Sequence, residues 1–149
     1  MDAEDPIRQV ERELGMLLRR AHAASTAIAR KVHPDLEPGV YATLAYISRR
    51  PGVRASVVAD DFGIGRATIS RQLARLTDLG LVERRPDPDD QRGQLLALTP
   101  EGTERLDRAR GARGGFLREA LDLWEEDELR HLAAQLARLN AAVAASVRR

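Results

Sequence analysis

Cysteine is absent from this chain and lysine nearly so: Lys31 stands alone beside 23 arginines. Without thiols there can be no disulfide, thiolate metal site or thiol redox switch. Aromatic residues make up only 3% of the 149, and no apolar run approaches the length of a membrane-spanning helix. The acidic stretch Asp2 to Asp5 is unlike the basic opening of a signal peptide. These absences lead to the expectation of a cytoplasmic protein with no membrane partner. Enzymatic signals are missing too. No nucleophile is spaced from a base, and the glycines fall at helix boundaries instead of in a phosphate-cradling loop. His22, His33 and His131 are too dispersed to form a metal site within one chain. The expectation is therefore no enzyme, no cofactor and no metal.

What is present fits one helix-rich globular domain over residues 1–149, with 43% hydrophobic and 32% charged residues. The net charge of +1 conceals an uneven distribution. Between Phe62 and Pro86, Arg66, Arg71, Arg75, Arg84 and Arg85 face only Asp78 and Glu83, a local balance of +3, while acids gather at Glu125 to Glu128. A local basic patch points to one docking surface, whereas a globally basic chain would bind polyanions indiscriminately.

Periodicity predicts a long first helix over about Pro6 to Val32, with Ile7, Val10, Leu14, Leu17, Ala21, Ala24 and Ile28 forming one apolar seam. Pro38 suits the first turn of a second helix lined by Val40, Leu44 and Ile47, which Pro51-Gly52 ends. A short third helix, about Ala55 to Asp61, turns Val58, Ala59 and Phe62 inward. After Gly63, a fourth helix from Gly65 to Leu79 buries Ile69, Leu73 and Leu76 and stops at Gly80. Its other side carries Ala67, Ser70, Arg71, Ala74 and Arg75, with Thr68 at the margin. Arginine can donate to guanine and alanine can lie against a thymine methyl, so this surface suits a DNA major groove. A merely solvated helix more often mixes Glu and Lys at i,i+4.

Leu81 to Arg85 and Gln94 to Leu98 read as two strands flanking a turn-rich stretch, Pro86 to Gly93, and hence as a hairpin. Thr99-Pro100-Glu101 starts another helix. Leu117 and Leu121 belong to a helix that Gly111, Gly114 and Gly115 interrupt, marking a kink, a close approach or a tolerated weak spot. Leu129, Leu132, Leu136, Leu139 and Val143 stripe the last helix. A winged helix-turn-helix needs only residues 38–98. The seams at 6–33 and 100–147 then pack either on each other or, as read here, between two subunits, since a two-fold doubles the reading power of one small helix.

This order of elements resembles the MarR family of bacterial transcription regulators over nearly the whole chain. The resemblance rests on Ala59-Asp60-Asp61-Phe62-Gly63-Ile64 leading into Thr68-Ile69-Ser70-Arg71, on Leu79-Gly80-Leu81-Val82-Glu83-Arg84, and on Asp87-Pro88-Asp89-Asp90-Gln91-Arg92 followed by Leu98-Thr99-Pro100-Glu101-Gly102. It implies a mainly α fold with a small β-hairpin wing, flanked by dimerisation helices. It also implies a homodimer on a pseudo-palindromic operator in double-stranded DNA, acting as a repressor released by a small aromatic or anionic effector. Two positions depart from the family pattern: Gly65, where Ser or Thr is common, and Gln72, where an apolar residue is frequent.

Arg71 is assigned to base edges or a nearby phosphate, with Arg75 one turn away; Ser70, Thr68 and Ala67 suit shorter contacts in the groove. Arg66 and, from the preceding helix, Arg54 and Ser56 are assigned to phosphates. Asp90 and Arg92 match the family's Asp-x-Arg motif, which implies that Arg92 reaches the minor groove while Asp90 shapes the hairpin. Of Arg84 and Arg85, one is expected toward DNA (Arg85 is chosen) and one toward an acid. In resembling proteins the effector cleft lies between the first, second and penultimate helices, which here implies His22, Thr26, Tyr41, Tyr46 and Arg49. Competing readings are the same DNA-binding fold without an effector, and a helical module that binds protein.

Overall fold

The computed structural model describes residues 5–112 and 114–148. They fall into two compact units that divide after Ala112.

The first unit opens with α1 (Pro6–Val32), started by Pro6 and by the Asp5 carboxylate, which accepts the Ile7 N–H at 3.1 Å. α2 (Pro38–Arg49) follows, then β1 (Val53–Arg54), α3 (Ala55–Phe62), α4 (Arg66–Asp78), β2 (Val82–Asp87), β3 (Asp90–Leu98) and α5 (Pro100–Arg110). The core gathers Ile28, Ala29 and Val32 from the end of α1 with Leu44 and Ile47 of α2 and Leu106 of α5. Val58 of α3, the Ile69-Leu73-Leu76 stripe of α4, and Leu81, Val82 and Leu96 complete it. Earlier in α1 the seam is partly exposed, Ile7 by 68% and Val10 by 51%, while Leu14, Ala21 and Ala24 are half-buried.

The three strands form an antiparallel sheet in the order β1-β3-β2. β1 is two residues long, Val53 opposite Leu96 and Arg54 opposite Leu95. A strand this short has no alternation for a sequence to display. β2 continues through Pro86 to Asp87, beyond the expected strand; as an edge strand it can carry a residue that lacks an N–H. Pro88 and Asp89 alone then make the turn into β3.

α4 ends as expected. Gly80 takes φ 71°, its N–H reaches the Thr77 carbonyl at 2.9 Å, and the Leu81 N–H reaches that of Leu76 at 3.0 Å, placing Leu81 in the core. Phe62, in contrast, does not turn inward: it is 37% exposed and lies edge-on to Tyr46, the ring centres 5.2 Å apart. Gly111 does not kink a helix but ends α5, its φ of 73° being left-handed.

The second unit holds α6 (Phe116–Ala120) and α7 (Glu126–Val147). Gly114 and Gly115 precede α6 with φ of 78° and 112°, and Leu121 falls just past its end. α7 opens on a capping box in which the Glu128 carboxylate takes the Glu125 N–H at 3.0 Å, so the acidic run serves the positive end of the helix. None of its residues is buried: of the stripe, Leu136 and Val143 are exposed and Leu129, Leu132 and Leu139 half-buried, while Trp124 is exposed. Among the described residues, no helix is long and apolar enough to cross a membrane.

Candidate nucleic-acid interface

α4 is presented by a tight turn. Gly63 takes φ 63°, and the Ile64 N–H closes on the Ala59 carbonyl at 3.1 Å. Gly65 caps α4 without a side-chain hydrogen bond, the consequence of glycine at that position. With Ile69, Leu73 and Leu76 buried, Arg66, Ala67, Ser70, Arg71 and Arg75 are exposed and Thr68 is half-buried.

The outer face of α4 borders two grooves. One, of about 510 Å³, runs between α3, α4 and the wing; Ser56, Arg66 and Ser70 line one side, and Arg84, Asp90 and Arg92 the other, with Arg54 also present. The other, of about 440 Å³, lies between α4 and the start of α2, lined by Asp35, Glu37, Thr68, Arg71, Gln72 and Arg75. Arg71 also contacts the Thr68 hydroxyl at 3.4 Å. The expected DNA-facing residues thus divide between the two flanks of one helix.

Three placements differ from the expectations. Arg54 stands in β1, ahead of α3 instead of on it, and its guanidinium is ion-paired with Asp87. Arg84 lines the wing groove, while Arg85 pairs with Glu83 at 2.6 Å, the reverse of the expected division. Strand alternation explains this: neighbouring residues point to opposite faces. Asp90 accepts the Arg92 N–H at 3.0 Å, but the buried acid of the hairpin is Asp87, whose side chain is 3% exposed. In the run Pro86-Asp87-Pro88-Asp89-Asp90 every acid has turn character, so no local signal distinguishes the one that goes inside.

Gln72 is satisfied in the packing of α4. Its carboxamide oxygen accepts a hydrogen bond from the hydroxyl of Thr43, a fully buried residue of α2, at 2.6 Å. A polar residue is tolerated at this half-buried position because a partner is buried with it.

The residues expected around an effector are in separate surroundings. The Thr26 hydroxyl donates to the His22 carbonyl within α1 at 2.9 Å, and Tyr41 is buried. Arg49 lines a cavity of about 360 Å³ between α2, β3 and α5, along with Ser48, Thr103, Asp107 and Arg110; the other four residues do not line it. The Tyr46 hydroxyl donates to the Asp61 carboxylate, and Arg50 donates to Tyr46 at 3.0 Å and pairs with Asp61 at 3.4 Å. Hydrogen bonding to Asp61 raises the Tyr46 pKa above its ordinary 10.0, burial and the Asp61 charge add to the rise, and Arg50 opposes it. The protonated phenol is therefore the form the fold prefers. Its contribution is whole below pH 10.0 and is lost as pH climbs through the raised folded value. Wild-type melting temperature should accordingly drop more steeply above pH 10 than that of Tyr46→Phe. Parallel pH profiles would remove the Asp61 bond.

Among the described residues, no three His, Asp or Glu side chains cluster to hold a metal ion. A family model described as "MarR family" matches residues 35–93. The transcriptional regulator HosA of Escherichia coli O111:H- is 34% identical over 89 residues, covering 60% of this chain and 66% of HosA. The chain spans 60–66% of the length of the two curated relatives it matches at 34% identity. Over the full chain, a crystal structure of MarR is 29% identical with a TM-score of 0.64, covering 99% of this chain and 97% of that one. Streptococcus pneumoniae FabT, solved in complex with DNA, shares the fold at 19% identity and a TM-score of 0.71, covering 92% and 96%.

Proposed function

We propose that this chain is a MarR-family regulator, a homodimeric transcriptional repressor that grips a pseudo-palindromic operator in double-stranded DNA. The observation that carries the reading is the groove between α4 and the wing, where Arg66 stands across from Arg84 and Arg92. Cations on both walls beside a helix with small polar residues match a phosphate backbone flanking a readable groove. The DNA-bound state of FabT, which shares this fold, supports the same use of it here. The homodimer is supported by Ile7, Val10 and Leu17 of the α1 seam and, separately, by Leu136 and Val143 of the α7 stripe, apolar side chains exposed on two helices.

Nuclease footprinting of the DNA upstream of the protein's own gene tests this. Two protected half-sites about one helical turn apart, ~10–10.5 bp between centres, are the expected outcome. One asymmetric site would remove the two-fold, and no specific retardation would favour a protein-binding module. Repetition with a panel of aromatic acids tests release by an anionic effector. The engagement of Tyr46 with Asp61 and the separate setting of Arg49 favour, as a second reading, a regulator that no such acid displaces.

A further inference from the structure

We propose that Asp87 is the positioning residue of the wing, holding the loop that carries Arg92 against the groove; this rests on the reading of the wing as a DNA-contacting element. Among the described residues Asp87 is the only buried charged side chain. A carboxylate taken out of water needs compensation, and here it is uneven. One oxygen accepts the Asp89 N–H at 2.9 Å, whereas Oδ2, buried and without a hydrogen-bond partner, is balanced only by the charge of the Arg54 guanidinium from β1.

The strand register shows what this carboxylate controls. Pro86 lies opposite Gln94, but the next residue, Asp87, lies opposite Asp90. Gln91, Arg92 and Gly93 are therefore displaced from the ladder as a bulge, with Arg92 at its centre. Asp87 sits at the neck. Its backbone pairs with Asp90 on one side of the bulge, and a Cβ on Gly93, on the other side, would lie 3.4 Å from Asp87 Cβ and Oδ2. The Asp90 carboxylate holds the Arg92 N–H at 3.0 Å from within. The Arg54–Asp87 pair thus ties the bulge to β1, which leads directly into α3. Arg54 is accordingly a strut of the wing before it is a phosphate ligand.

The test uses Asp87→Asn, which retains an oxygen for the Asp89 N–H but loses the charge that Arg54 needs. In the free protein, hydrogen exchange at the Asp89 and Arg92 amides should accelerate about tenfold while α4 amides stay protected. On a duplex from upstream of the protein's own gene, Arg92→Ala should weaken wild-type binding about tenfold but binding by Asp87→Asn less than about threefold, the non-additivity of two residues in one network. An equal cost of Arg92→Ala in both backgrounds, or unchanged wing exchange, overturns the proposal. If Asp87→Asn is unfolded at the assay temperature, Arg54→Gln, at a side chain 45% exposed, carries the same comparison. A wild-type protein that retards no duplex defeats the DNA-binding reading and this positioning role with it. Accelerated exchange in Asp87→Asn would then assign the carboxylate to hairpin structure alone.

Discussion

Replacing Gly102 with alanine is expected to cost the fold about 3 kcal/mol or more, the upper end of overpacking penalties. Gly102 is buried in the first turn of α5, and a Cβ there would overlap the Leu81 carbonyl, lying 2.9 Å from its carbon. The obstacle is backbone that cannot swing aside. The Leu81 carbonyl accepts the Thr99 N–H at 3.0 Å, and the Thr99 hydroxyl donates to the Gly80 carbonyl at 2.6 Å. Thr99 also caps α5 by accepting the Gly102 N–H at 2.9 Å. One threonine and one glycine thus join the end of α4 to the start of α5. Urea denaturation reads the cost directly, and a loss below about 1 kcal/mol would falsify the close approach.

Operator affinity is expected to fall ~10³–10⁵-fold between 50 and 200 mM salt, the loss when roughly 6–10 phosphates are neutralised by a dimer. Arg66, Arg84 and Arg92 border the wing groove, and Arg71 and Arg75 the groove on the opposite flank of α4. Two copies of this set suffice for that number of contacts. Single alanine substitutions should divide them: a phosphate-bound arginine lowers the slope of log K against log salt by about 1, whereas a base-reading one relaxes sequence preference. Arg84→Ala should lower the slope and Arg85→Ala should leave it alone, because Arg85 already faces Glu83. A flat response to salt would argue against DNA binding altogether.

The helices were largely legible in the residues themselves. Pro6 and Pro38 mark two starts, Gly80 marks a stop, and the buried stripe of α4 follows the 3.6-residue period. These signals are local: a ring without an N–H, a missing Cβ, apolar side chains one turn apart. The hairpin was legible as a hairpin, but its register was not. Nothing in Pro86 to Gly93 announces that three residues leave the ladder around Arg92, or that Asp87, among three similar acids, is the buried one. That choice is made by Arg54, which lies more than thirty residues earlier and meets Asp87 only once β1 joins the sheet. The inward assignment of Phe62 failed for a related reason: Tyr46 offers it an aromatic edge at the surface.

By itself the sequence determined the succession of helices, the polar outer face of α4 and the presence of a wing, because each depends on neighbours within a few positions along the chain. Only the tertiary structure decided which arginine lines the wing groove with no acid partner among the described residues, and which are paired with an acid of the fold. Arg84 faces the groove, Arg85 faces Glu83 and Arg54 is bound to Asp87. In composition the three are identical. What separates them is strand pairing, which brings a charge to its partner and fixes the face to which each side chain points.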